Sequence, residues 1–173
     1  MSTPPTGRIE KTQAGLAIAI ERQFPAAIED VWASITDPER MTRWIGTWRG
    51  TPGVGRTVDF WMTAEGDGPP EPALIQECDA PRRLRVQTSV GEDSWMLAVT
   101  LDEAEGITTL HFTQDVTAST TVGDTGPGWE YYLDRLVATF SDEAFADWED
   151  YYPAQEAHWL DALAQATAPD AAS

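Results

Sequence analysis

The sequence predicts an α+β helix-grip chain, with a curved antiparallel sheet of six to seven strands wrapped on one long C-terminal helix. Three observations predict it. Leu16, Ile18 and Ile20 alternate within Gly15 to Phe24, which is strand periodicity. From residue 47 to 116 the same alternation returns in run after run, each closed by turn-type residues, as in an antiparallel meander with one face covered. After residue 128 the period changes. Trp129, Tyr132, Leu133, Leu136, Val137 and Phe140 recur at helical spacing and form the strongest helical stripe in the chain.

The elements follow in order. Residues 1–14 are polar and proline-containing and read as a loose N-terminal arm. Pro25 ends the first strand. Ile28, Val31, Trp32 and Ile35 then make a helix stripe. Asp37-Pro38 starts a second short helix, with Asp37 as cap and Pro38 at the first position, where a missing N–H costs nothing. Met41, Trp44 and Ile45 are its apolar face and Gly46 its end. Val58, Phe60 and Met62 alternate in the next strand, and residues 64–72 read as a long turn. Ala73–Asp79 and Arg82–Ser89 flank an Ala80-Pro81 turn, and residues 91–93 form another. Trp95, Leu97, Val99 and Leu101 alternate next; Leu110, Phe112 and Val116 share a face of the strand after it. The long helix begins after the segment 123–128, GDTGPG. A final helix is expected from about Ala154 to Ala166, with Trp159, Leu160 and Leu163 as its apolar face. The domain therefore spans 15–166, followed by a flexible tail at 167–173.

Composition excludes several function classes. The chain has 173 residues, enough for one domain with a sizeable core. Its formal net charge is −18, from 29 acidic and 11 basic residues, and such a field repels phosphate backbones and anionic lipid. Nucleic acid is not an expected partner; the one dense basic run, Arg82, Arg83 and Arg85, sits among acids. No apolar run reaches the roughly 18 residues of a membrane span, and no secretory signal pattern opens the chain, so a cytoplasmic protein is expected. Cys78 is the single cysteine and reads as a small, buried, inert side chain.

Three phrases carry a resemblance. FPAAIEDVWASITDPERMTRWIG follows the first strand, ECDAPRRL falls between two central strands, and GPGWEYYLDRL opens the long helix. Together they resemble the START-like (helix-grip, SRPBCC) superfamily, and within it the branch named after the activator of the ATPase of heat-shock protein 90. The resemblance covers roughly residues 16–140 and implies the helix-grip fold. It does not imply chaperone activation, because the eukaryotic activators carry an additional N-terminal domain for which this chain has no room. The acidic segment 141–166 is not a core element of the superfamily.

Strand parity points Phe60 and Met62, Trp95 and Leu97, and Phe112 and Gln114 toward Trp129, Tyr132, Leu133 and Leu136 of the long helix. These ten residues are the expected lining of a cavity for a small hydrophobic or amphipathic molecule. The competing expectation is a solid core filled by the chain's own tryptophans. Tyr132 and Gln114 are the polar groups of the set, and either can instead serve the backbone. His111 is expected on the outer face. Neither histidine has partners at ligand spacing, and Asp142, Glu143, Asp147, Glu149 and Asp150 lack the spacing of a calcium loop, so no metal is expected. Glu77 and Glu130 flank the apolar elements, but no catalytic motif or dinucleotide fingerprint is present, and no catalytic residue or cofactor is assigned. A protein-interaction module with a chaperone partner and a polyketide cyclase or aromatase stand as alternatives. Eight tryptophans also leave a homodimer open.

Overall fold

The computed structural model describes residues 4–90 and 92–169. Gly91 of the expected 91–93 turn, and residues 1–3 and 170–173 of the two expected loose ends, lie outside the described residues. The chain runs β1 (Arg8–Thr12), β2 (Gly15–Phe24), α1 (Ile28–Thr36), α2 (Pro38–Met41), β3 (Thr47–Arg49), β4 (Thr57–Trp61), β5 (Glu71–Asp79), β6 (Arg83–Val90), β7 (Asp93–Ala104), β8 (Ile107–Val116), α3 (Val122–Ala138) and α4 (Glu156–Thr167).

All eight strands form one antiparallel sheet in the order β1-β2-β8-β7-β6-β5-β4-β3. The architecture is the expected helix grip, with a wider sheet than the six to seven strands expected. The additions are the edges. Composition predicts a loose arm here, yet Arg8–Thr12 is a strand that pairs with β2 from Arg8↔Ala19 to Thr12↔Gly15. Its sequence RIEKT has one apolar residue because an edge strand facing solvent needs few. β3 is only three residues long.

The chain leaves β2 near one edge and re-enters at β3 on the other, so α1 and α2 carry it across an end of the sheet. Asp37 caps α2 as expected, its carboxylate accepting from the N–H groups of Glu39 and Arg40. The free N–H of Ile28, in the first turn of α1, donates to Glu103 of β7 at 2.9 Å. At the other end, the indoles of Trp44 and Trp48 donate to the carbonyls of Ser34 and Thr36, at 2.9 and 2.8 Å. The last turn of α1 thus satisfies two carbonyls with tryptophans from the chain that follows α2. Gly46 is required by close approach: a Cβ there would lie 2.0 Å from the carbonyl oxygen of Trp61.

α3 starts earlier than its hydrophobic stripe indicates. Residues 123–128, which the change of period places before the helix, are helical, with Pro127 inside the helix. Glycine is a poor helix former, so packing must favour this turn. Trp159 of α4, fully buried, supplies it. A Cβ on Gly126 would lie 2.2 Å from the Trp159 ring, and a Cβ on Gly7, just before β1, 2.4 Å from it. The two glycines leave the space that the indole fills between the N-terminal chain and α3.

α3 is pinned to β2 by charge. The Arg22 guanidinium meets Glu130 at 2.5 Å and Asp134 at 2.7 Å. Glu130 is 1% exposed and also accepts from the backbone N–H groups of Thr6 and Gly7, at 2.8 and 2.6 Å. Burial acts to lower the pKa of Arg22, but the charges of Asp134 and Glu130 outweigh it and raise it.

Replacing Gly126 by Ala is expected to destabilise the fold by roughly 1–3 kcal/mol through overpacking against Trp159. At Gly128 a Cβ meets nothing within 4 Å, so Gly128→Ala is expected to stabilise by roughly 0.4–1 kcal/mol. Urea unfolding of the two variants checks the opposite signs. Arg22→Met strands Glu130 as a buried unpaired charge and is expected to cost roughly 3–5 kcal/mol in the same experiment.

Candidate functional site

Register alone builds one wall of the site. Residues directly opposite each other in an antiparallel ladder share a face. Ile20 faces Phe112, Phe112 faces Val99, and Val99 faces Leu84. In the next row Leu97 faces Val86 and Val86 faces Ile75. In the third, Trp95 faces Thr88, Thr88 faces Ala73, and Ala73 faces Val58. Phe60, opposite Trp48 and Glu71, completes the far edge. Small and branched side chains dominate the middle of this surface, with aromatic rings around it.

A β-bulge in β5 decides two of the candidates. The register shifts between Ile75 and Glu77, so parity changes across Gln76. Cys78 therefore joins Ala73 and Ile75 on the inner face, and Glu77 turns outward to pair with Arg83 at 2.9 Å. Cys78 is exposed at the rim of the cavity, not buried as expected. Glu77 contributes no carboxylate to the interior.

Opposite this wall stand Trp129 and Leu133 of α3, with Ile35 of α1 and Met41, Trp44 and Ile45 at one end. Arg135 ties that end to α3, its Nε donating to the Trp44 carbonyl at 2.9 Å. Between wall and helix lies a cavity of about 260 Å³ whose lining is overwhelmingly apolar. Of the residues expected to line it, Phe60, Met62, Trp95, Leu97, Phe112, Trp129 and Leu133 do. Leu136, although fully buried, packs in the core away from it. Gln114 sits under α3 and accepts the Trp129 indole N–H at 2.6 Å, which orients that ring against Phe112. Sequence reasoning missed the β5 and β6 contributions, Ala73, Ile75, Leu84, Val86 and Thr88. The alternation of Leu84, Val86 and Thr88 was a signal that could have found them.

Tyr132 belongs to a second, more polar chamber of about 290 Å³, which shares Met62, Trp95 and Trp129 with the first. Its hydroxyl donates to Glu65 at 2.6 Å and so joins α3 to the segment after β4. Burial pushes the phenol pKa up, and the bond to Glu65 and its charge push it further, so the hydroxyl keeps its proton. Glu71 faces the first cavity, and burial raises its carboxyl pKa, with a further push from the charge of Glu65.

The remaining candidates fall elsewhere. His111 lies on the outer face, 3.2 Å from Glu21, with both side chains 44% exposed. The His158 ring contacts the Gly7 carbonyl at 2.9 Å. Glu130 is buried in the ion-pair network with Arg22, on the β2 side of α3.

An open antiparallel sheet closed over an apolar cavity by one long helix defines a helix-grip protein of the START-like superfamily. The chain belongs to the family of activator of Hsp90 ATPase homolog 1-like proteins, whose family model matches residues 25–141. Among solved structures it is similar to CalU16 from Micromonospora echinospora, at 23% identity and a TM-score of 0.74, over 94% of this chain and 99% of that one. A conserved protein of unknown function from Enterococcus faecalis is similar at 19% identity and a TM-score of 0.72, over 94% and 92% of the two chains. DynU16, a protein in the dynemicin biosynthetic locus, is similar at 20% identity and a TM-score of 0.65, over 79% of this chain and 50% of that one. Likeness at these identities is a likeness of fold. No curated protein matches the chain. No helix among the described residues is long and apolar enough to cross a membrane.

The raised carboxyl of Glu71 makes stability depend on pH. The folded state holds its proton to higher pH than the unfolded chain does, so this group's contribution to stability falls as pH rises above the ordinary glutamate value of about 4.3. Glu71→Gln is expected to raise the melting temperature at pH 7, with the gain shrinking toward pH 4. A gain of equal size at both pH values would contradict this account.

Proposed function

We propose that this chain is a binding module that takes up a small hydrophobic or amphipathic molecule between its sheet and α3. The observation that carries the reading is the cavity itself: about 260 Å³ of space walled by Phe60, Leu97, Phe112, Trp129 and the β5–β6 side chains. Its size is near the lower end for ligand pockets, which suits a single ring system or a short alkyl chain. Aromatic walls offer such a ligand large apolar contact at little entropic cost. The place of DynU16 in a biosynthetic locus is in keeping with small-molecule work on this fold. Neither histidine lines the cavity, and the reading assigns no catalytic residue.

A melting screen against alkyl and aromatic compounds tests the proposal. A compound present at 100 times its dissociation constant is expected to stabilise by about 2.7 kcal/mol. Cys78 supplies an independent readout, because it lies at the rim of the same cavity. Bound compounds are expected to slow its reaction with a thiol reagent. A screen in which nothing shifts the melting temperature and nothing protects Cys78 would overturn the reading.

A further inference from the structure

The second chamber lies against the apolar cavity, sharing Met62, Trp95 and Trp129 with it as a common wall, and differs from it in chemistry. Glu65, Asp124, Thr121 and Thr125 line it, and no arginine, lysine or histidine does. The one phenol in its lining, Tyr132, already spends its hydrogen on Glu65. The chamber therefore offers acceptors and negative charge, and few free donors. Glu71 stands on the inner side of the common wall, opposite Phe60 in the ladder. Among the described residues no cationic side chain pairs with Glu65, Glu71 or Asp124. Three carboxylates near one apolar wall leave no compensation for a fourth.

We propose that the two chambers form one bipartite site for a cationic amphiphile, with its apolar body in the inner cavity and a hydrogen-bond-donating ammonium head in the outer chamber. The proposal rests on the cavity reading above and adds the sign of the head group. An ammonium brings three donors and a positive charge to a chamber of acceptors. It also offsets the charge of Glu65, which adds to the effect of burial on the Glu71 carboxyl. An alkyl carboxylate, the same shape with the opposite charge, meets Glu65 and Asp124 with only neutral donors, the threonine hydroxyls and tryptophan indoles, to set against them. Specificity then comes from exclusion as much as from attraction.

Decylamine, decanol and decanoate share one chain and differ in the head. Their dissociation constants are to be measured by calorimetry below their micelle concentrations, at 0.15 M salt, where the field of the whole acidic protein is screened beyond about 8 Å. The expected order is decylamine, then decanol, then decanoate, with the amine about tenfold or more tighter than the carboxylate. The double variant Glu65→Gln with Asp124→Asn is expected to bring the amine and alcohol affinities together. Asp142→Asn, an exposed site that lines neither chamber, removes an acid without moving the preference. Decanoate binding as tightly as decylamine, or a preference unchanged in the double variant, overturns the head-group assignment alone. Failure of all three probes to bind overturns this assignment, and it overturns the cavity reading beneath it when the melting screen and the Cys78 protection fail as well.

Discussion

Arg22 of β2 reaches across to Glu130 and Asp134 of α3, and this buried charge cluster determines where the long helix lies over the sheet. Removing the charges from water is costly, and their attraction repays that cost only in a well-made geometry. Glu130 has such a geometry, with the guanidinium and two backbone N–H groups converging on one carboxylate. The helix is thereby held toward the β2 side of an eight-stranded sheet. A helix with its side chains is about 10–12 Å across, and strands lie about 4.8 Å apart. One helix covers two or three strands, so a helix held near β2 cannot cover β4 to β6. The uncovered inner face there is the wall of the cavity.

The same pinning links parts of the chain far apart in sequence. Residues 6 and 7 bond to Glu130, β1 follows at once, and Gly7 and Gly126 together receive the Trp159 ring. α4 and β1 lie outside the span that the family model matches, yet they pack on α3 and β2. In this chain the shared grip is reinforced from behind by its own two ends. Tyr131, beside Tyr151 and Trp148, extends the reinforcement along the solvent side of α3.

Most of the frame was legible in the sequence because it follows from periodicity. A half-buried strand must alternate, and a helix lying on a sheet must carry a stripe, so β2, β7, β8 and the second half of α3 declared themselves. What was illegible depended on tertiary contact. Gly126 is helical because the Trp159 ring fills the space a side chain there would take, and no local propensity reports that. The bulge at Gln76 exchanges the faces of Glu77 and Cys78, and one extra residue in a strand leaves no compositional trace. Periodicity points Tyr132 toward the cavity, but it binds Glu65 in the neighbouring chamber, a partner 67 residues away that only the folded chain supplies. Leu136 lay on the same stripe as Leu133 and is buried in the core, because a stripe defines a face and not the end of that face at which a cavity opens.

The space between β5–β7 and α3 is unfilled by side chains. Val86, in the middle of the wall, tests it directly. In a close-packed interior Val86→Phe would overpack and cost roughly 1–3 kcal/mol. Into an open cavity the ring has room, so thermal unfolding should show the variant as stable as the parent or more so, with binding of apolar compounds lost. A clear fall in melting temperature, as for an overfilled core, would contradict the account.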